Sequence, residues 1–66
     1  MLITEQHKER VADILFNGYG EYDYVAHLMR LISRADEDNR ERLSMAYPKE
    51  VEYVYGMKRR WASMYL

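Results

Sequence analysis

Residues 21–36, with the sequence EYDYVAHLMRLISRAD, carry the strongest amphipathic pattern in the chain. The apolar residues of this stretch recur at intervals of three and four positions, which is the spacing of one face of an α-helix. They are Val25, Leu28, Met29 and Ile32. The pattern predicts a helix that begins between residues 21 and 23 and buries this face.

The end of this helix is open to two interpretations. Asp36 can act as the N-cap of a new helix, with acidic residues in its first turn. Charges four positions apart, such as Asp36 and Arg40, would instead stabilise one continuous helix, and neither Gly nor Pro interrupts residues 21–47. We favour a cap at Asp36 and a third helix that stops before Pro48, because the residue preceding proline is pushed away from helical dihedral angles.

Helical patterns also occupy both ends of the chain. The first runs from about Thr4, a suitable N-cap, to Asn17, and Gly18 can adopt the left-handed conformation that ends a helix. Pro48 suits the first turn of a last helix, in which apolar residues recur almost to the C-terminus. The sequence therefore predicts an all-α fold. Residues 1–66 would form a single domain, a compact bundle of three to four short helices, small enough for homodimerisation to help complete it.

The predicted core takes its members from all of these segments. Each member is an aliphatic residue or methionine at helical spacing. The core residues are Val11, Ile14, Leu15, Val25, Leu28, Met29, Ile32, Leu43, Val51 and Val54.

The composition excludes several classes of protein. The 66 residues include no cysteine, so disulfides and thiolate chemistry are absent. A net charge of −1 is unlike that of a strongly basic nucleic-acid module, and we do not expect nucleic acid as a partner. No apolar run approaches the ~20 residues of a membrane span, and the first residues lack a signal-peptide pattern. We expect a cytoplasmic protein with no membrane partner.

No spacing in the chain indicates catalysis or metal binding. His7 and His27 lie on different predicted helices, and no further ligands converge on either of them. The acidic run at residues 36–38 lacks the alternating ligands and the central glycine of a calcium loop. We therefore predict no catalytic residue, no metal ligand and no cofactor, and expect a protein that is not an enzyme.

Tyrosine and methionine are the residues that point to binding. The chain has seven Tyr and five Met but one Phe, and both side chains are enriched at protein interfaces. The predicted partner-binding residues lie in the first turn and along the last helix. They are Tyr19, Tyr22, Tyr53, Met57, Arg59, Arg60, Trp61 and Met64.

Trp61 has two interpretations. With Met57 and Met64 it would form an exposed apolar patch that a second copy of the chain covers about a two-fold axis. Gly56 would then allow a close approach of the two helices. Alternatively, Trp61 closes the core of the monomer against the first helix.

The segment from Arg34 to Val51 resembles a known pattern. Its residues Ala35-Asp36, Asn39, Leu43, Tyr47-Pro48 and Glu50-Val51 are similar to an "AD..N...L...(F/Y)P.EV" core found in small phage and prophage proteins. The resemblance covers about a third of the chain and includes no catalytic motif. It implies a viral accessory protein that acts inside the bacterial host cell.

Three functions follow as hypotheses. The first is a phage-type protein that acts as a homodimer and that binds and inhibits or modulates a host or anti-phage defence protein. The second is an oligomeric sponge for a nucleotide signal, with Arg30, Arg34 or Arg59 on the phosphates and tyrosines on the bases. The third is a small DNA-binding regulator.

Overall fold

A computed structural model describes residues 1–64, and these residues contain five α-helices and no strand. The helices are α1 (Glu5–Glu9), α2 (Val11–Phe16), α3 (Tyr24–Arg34), α4 (Glu37–Ala46) and α5 (Pro48–Met64). Helix α3 packs against both α2 and α5, and α4 packs against α5. The predicted all-α fold is confirmed.

The cap at Asp36 is present, so residues 24–46 form two helices. Asp23 caps α3 by accepting a hydrogen bond from the amide of Val25 at 3.0 Å. The chain becomes extended at Ala35, and Asp36 then accepts from the amide of Asn39 at 2.8 Å. Two local caps therefore prevail over the charge pairs that would have stabilised one long helix.

The helix predicted from Thr4 to Asn17 is wrong in one respect, because it is two helices that meet at Arg10. Thr4 is the N-cap as predicted, and the amide of Arg10 turns back to the carbonyl of His7 at 3.2 Å. The ring of His7 is held by Asp23 at 2.7 Å, whereas Val11 leads α2 into the core. The two helices thus make separate long-range contacts, α1 through His7 and α2 through Val11, and local periodicity does not predict such contacts.

The core contains eight of the ten predicted residues, while Val25 and Leu43 are partly buried against it. Helix α3 lies at its centre, where Met29 and Ile32 are fully buried. The sequence analysis missed Ile3 and Ala26, both of which are buried. Ile3 precedes the first helix and belongs to no periodic pattern, so only the tertiary structure places it.

The loop between α2 and α3 is held by Arg30. Its Nη1 donates to the carbonyl oxygens of Ile14 and Tyr19, each at 2.9 Å. Gly20 has a φ of 77°, and a Cβ there would lie 2.8 Å from the Cβ of Ala26. The loop therefore needs both a guanidinium with two aligned donors and a residue without a side chain.

Helix α5 satisfies the carbonyl groups at the end of α3. The Tyr55 hydroxyl donates to the carbonyl oxygens of Ile32 and Ala35, both at 3.3 Å. Lys58 Nζ donates to the carbonyl oxygen of Ser33 at 2.8 Å. The Ile32 carbonyl also accepts from the amide of Ala35 at 3.3 Å, so the side chains of α5 add donors at the carbonyl end of α3 and join the two helices there.

Glu50 joins the N-terminal segment to α5. Its side chain is buried, and Oε2 accepts a hydrogen bond from the amide of Leu2 at 2.6 Å. This bond holds the segment beside α5 and positions Ile3 in the core. It also lowers the pKa of the Glu50 carboxyl below its ordinary value of 4.5, because the amide stabilises the charged form.

We expect the Glu50 bond to make stability fall in acid. A carboxyl whose pKa is lower in the folded state contributes stability above its unfolded pKa and loses that contribution as the pH falls through the folded pKa. Urea unfolding of wild type and Glu50→Gln at pH 7 and pH 3 measures the effect. The difference in the free energy of unfolding between wild type and Glu50→Gln should be large at pH 7 and smaller at pH 3. The pKa of Asp23 is also lowered, but Asp23 is present in both proteins, so its contribution to the pH dependence cancels in the difference. An equal gap at both pH values would contradict the prediction.

Candidate functional site

An open groove of about 650 Å³ runs along α5, beside the N-terminal segment and α1. Four of its residues, spaced along one face of α5, are Lys49, Tyr53, Gly56 and Arg60. The complete lining is Met1, Lys8, Lys49, Glu52, Tyr53, Gly56, Met57 and Arg60. We call this feature the α5 groove.

Gly56 forms an open part of the groove surface. It lies inside α5, its φ is not positive, and no atom outside its own helix backbone lies within 4 Å of where a Cβ would be. Glycine at such a position costs about 0.5–1 kcal/mol relative to alanine. Nothing within residues 1–64 accounts for this cost, because no neighbouring helix of the same chain approaches Gly56 closely.

The α5 groove is more positive than the rest of the chain. It contains Lys8, Lys49 and Arg60 against the single carboxylate of Glu52, a formal charge of +3 − 1 = +2. The whole chain has a net charge of −1. Among residues 1–64, neither Lys49 nor Arg60 forms a salt bridge, and Lys8 forms a long one to Glu5 at 3.4 Å. The groove thus presents cations that have little competition from carboxylates of the same chain.

Tyr53 gives the groove an aromatic surface. Its ring is partly buried, and the ammonium of Lys8 lies 5.7 Å from the ring centroid. Burial raises the pKa of the Tyr53 phenol above 10.0, so the hydroxyl stays neutral at physiological pH. Met57 lies beside it on the same helix. The centre of the groove is therefore apolar and adaptable in shape, with charges around it.

The structure brings three of the eight predicted partner-binding residues together in the α5 groove: Tyr53, Met57 and Arg60. Arg59 is exposed on the same helix but does not line the groove. Tyr19 and Tyr22 lie in the loop between α2 and α3, where Tyr22 is 93% exposed. Arg59, Tyr19 and Tyr22 therefore lie outside the groove lining.

Trp61 makes its aromatic contact within the monomer. Its ring centroid lies 5.5 Å from that of Phe16 on α2, at an interplanar angle of 45°. Trp61 and Met57 are partly buried against the core, whereas Met64 is 71% exposed. The contact corresponds to the second interpretation of Trp61. Met57 also lines the α5 groove, and Phe16 is itself 70% exposed, so apolar surface remains on this side of the monomer.

The sequence analysis missed Lys8 and Lys49 as members of the groove. Lys49 lies eleven positions before Arg60, and this spacing places both on one face of α5. That signal was available from the sequence. Lys8 belongs to α1, and only the packing of α1 beside α5 brings it to the same groove.

A chain of hydrogen bonds links Thr4, His7 and Asp23. Thr4 Oγ1 lies 2.9 Å from His7 Nδ1, and His7 Nε2 lies 2.7 Å from Asp23 Oδ2. This order of hydroxyl, imidazole and carboxylate is also that of a nucleophilic triad. Here, however, the amide of Thr4 donates to the same Nδ1 at 3.0 Å, and the amide of His7 bonds to Thr4 Oγ1 at 3.4 Å. These reciprocal bonds form a capping box, so the chain fixes α1 to α3.

The basic run at residues 58–60 divides among three roles. Lys58 is bonded to the end of α3, Arg59 is exposed, and Arg60 lines the α5 groove. Arg30, which the nucleotide hypothesis placed on phosphate, instead donates to backbone carbonyls of the α2–α3 loop. Of the three arginines that the nucleotide hypothesis names, Arg30 therefore has a structural role in this loop.

A second, apolar depression lies between α3 and α4. It is lined by Leu31 and Leu43 together with Tyr24 and Tyr47, whose hydroxyl groups are hydrogen-bonded to each other. Its volume is about 210 Å³, smaller than that of the α5 groove, and it lacks a comparable set of charges. The α5 groove is therefore the stronger candidate site.

Within residues 1–64, no three His, Asp or Glu side chains are grouped so that they could hold a metal ion. No helix in this range is long and apolar enough to cross a membrane. Comparisons with protein-family models, curated proteins and solved structures found no match.

Proposed function

We propose that this protein is a non-enzymatic binding protein that docks onto a partner protein through the α5 groove. The observation that carries the proposal is Gly56, a residue that weakens its own helix and that leaves the groove open. A glycine on a helix surface lets another chain approach the backbone closely, and such an approach would account for its presence. Tyr53 and Met57 on either side provide the aromatic and flexible apolar contacts common at interfaces.

The proposed biological role is inhibition or modulation of a host or anti-phage defence protein in the bacterial cytoplasm. Its support is the phage-type resemblance of residues 34–51 together with the docking surface on α5. A protein that occupies a site on its target needs a surface and a stable fold, and it needs no reacting groups. Homodimerisation is a separate proposal, and light scattering of the purified protein at micromolar concentration checks it.

Gly56 allows a test in which stability and binding change in opposite directions. We expect Gly56→Ala and Gly56→Gln to unfold at higher denaturant concentration than wild type, because both residues favour the helix and the space is empty. Gly56→Ala should gain about 0.5–1 kcal/mol. In Gly56→Gln the new side chain should prevent the partner from approaching the α5 backbone, and binding should be lost.

Affinity capture from bacterial lysate with tagged wild type, Gly56→Ala and Gly56→Gln provides the measurement. The partner should be recovered by wild type, in smaller amount by Gly56→Ala, and not by Gly56→Gln. Calorimetric titration with the purified partner then gives the three affinities. A partner that binds all three proteins equally would show that the α5 groove is not the docking surface.

A further inference from the structure

We infer that the partner segment seated in the α5 groove is acidic at both of its ends and apolar in between. This inference rests on the proposed function for the groove itself and adds the chemistry of the partner. It follows from where the charges lie along α5 and from what lies between them.

Two of the three cations of the groove, Lys49 and Arg60, are at the two ends of its α5 wall, and the third, Lys8, lies beside Tyr53. Lys49 and Arg60 are eleven residues apart on α5, a distance of about 16 Å along the helix axis. Eleven residues are close to three whole helical turns, so both side chains start from the same face. Within residues 1–64 neither is paired with a carboxylate, and both therefore remain available to acidic groups of a partner.

The centre of the groove suits a different kind of side chain. Between the two cations α5 contributes Tyr53, Gly56 and Met57, which provide apolar surface and an open position, and the single carboxylate of Glu52. A carboxylate placed there would meet both the cation of Lys8 and the carboxylate of Glu52, so it would lose hydration with little net gain. A helical segment with carboxylates about three turns apart and small or apolar residues between them matches both features.

Nucleic acid matches this arrangement less well, although its phosphates are also anionic. Glu52 lies in the same groove and would repel a continuous line of phosphates. The chain as a whole is negative, so the field beyond the groove does not attract a polyanion. Separate carboxylates at two positions avoid both difficulties.

The experiment is selection from a random peptide library, with peptides of about 16 residues, which can span the groove as a helix. Purified wild-type protein is the bait, and the enriched peptides are synthesised and measured by fluorescence anisotropy. We expect them to carry a net negative charge, with acidic residues toward both ends. Lys49→Glu/Arg60→Glu should bind them at least about tenfold more weakly. The control Arg34→Glu/Arg42→Glu makes the same change in net charge on exposed positions of α3 and α4, and should bind within about twofold of wild type.

The outcomes separate the inference from the proposed function. If Gly56→Gln binds the enriched peptides as well as wild type does, they do not occupy the groove, and the proposed docking surface is wrong. If Gly56→Gln fails to bind the peptides, they occupy the groove and the proposed docking surface is supported. The inference of an acidic partner is then overturned if the peptides are not acidic, or if Lys49→Glu/Arg60→Glu still binds them. Displacement of the peptides by a short DNA duplex, with steep salt dependence, would also overturn the acidic partner in favour of a polyanion.

Discussion

Leu28→Ala should remove about 2–5 kcal/mol from the free energy of unfolding, the usual loss when a buried leucine is truncated. Leu28 is 6% exposed and lies on the face of α3 that forms the centre of the core. The substitution removes apolar contacts and leaves a cavity that the short neighbouring helices can fill only in part. In a domain of this size the loss amounts to most of the stability. Urea unfolding followed by circular dichroism measures it.

The same helix provides the control. Leu31 is three residues further along α3 and is 56% exposed. Leu31→Ala deletes the same atoms from the same secondary structure, so helix propensity changes equally in both variants. We expect Leu31→Ala to stay within about 0.5 kcal/mol of wild type. Equal losses for Leu28→Ala and Leu31→Ala would mean that the face of α3 is assigned incorrectly.

Arg30→Met should have the second large effect, a loss of about 2 kcal/mol. Methionine retains an apolar stem but leaves the carbonyl oxygens of Ile14 and Tyr19 without their shared donor. Lysine would not restore the arrangement fully, since its single nitrogen cannot also make the contact of Nη2 with the carbonyl oxygen of Gly20 at 3.5 Å. Denaturant unfolding gives the loss, and amide hydrogen exchange should show faster exchange in the α2–α3 loop.

Arg34→Met is the matched control for Arg30→Met. Arg34 lies one turn further along α3, is exposed, and has no hydrogen-bond partner in the part of the chain that the structure describes. We expect a change within about 0.5 kcal/mol. If Arg30→Met were equally mild, the guanidinium would not be what holds the loop.

The periodic and capping signals of the sequence predicted the helices well because they are local. Asp36 needs only the amide of Asn39, three residues away, to begin α4. Pro48 begins α5 because its ring fixes the dihedral angle that a first helical turn requires. The same locality explains the one error of this kind. The predicted first helix divides at Arg10, and its first half is bonded through His7 to Asp23, sixteen residues away, a contact that no local pattern contains.

The candidate site was only partly predictable for the same reason. Tyr53, Met57 and Arg60 were identified because interface-type residues recur along α5. Lys8 lines the same groove only because α1 packs beside α5, which the sequence does not show. The role of Arg30 was missed because a charged residue on the polar side of a helix normally faces solvent. Its carbonyl partners come from another helix and a loop.

The sequence by itself determined the all-α class, the caps Thr4 and Asp36, the helix start at Pro48 and eight members of the core. Each depends on spacing or on neighbours within one turn, because Thr4, Asp36 and Pro48 act on amides or dihedral angles close by. Only the tertiary structure decided which polar side chains are buried. Glu50 is buried because the amide of Leu2, forty-eight residues away in sequence, meets its carboxylate. A carboxylate is stable in such a place only when a donor is supplied, and only the folded chain brings that donor to it.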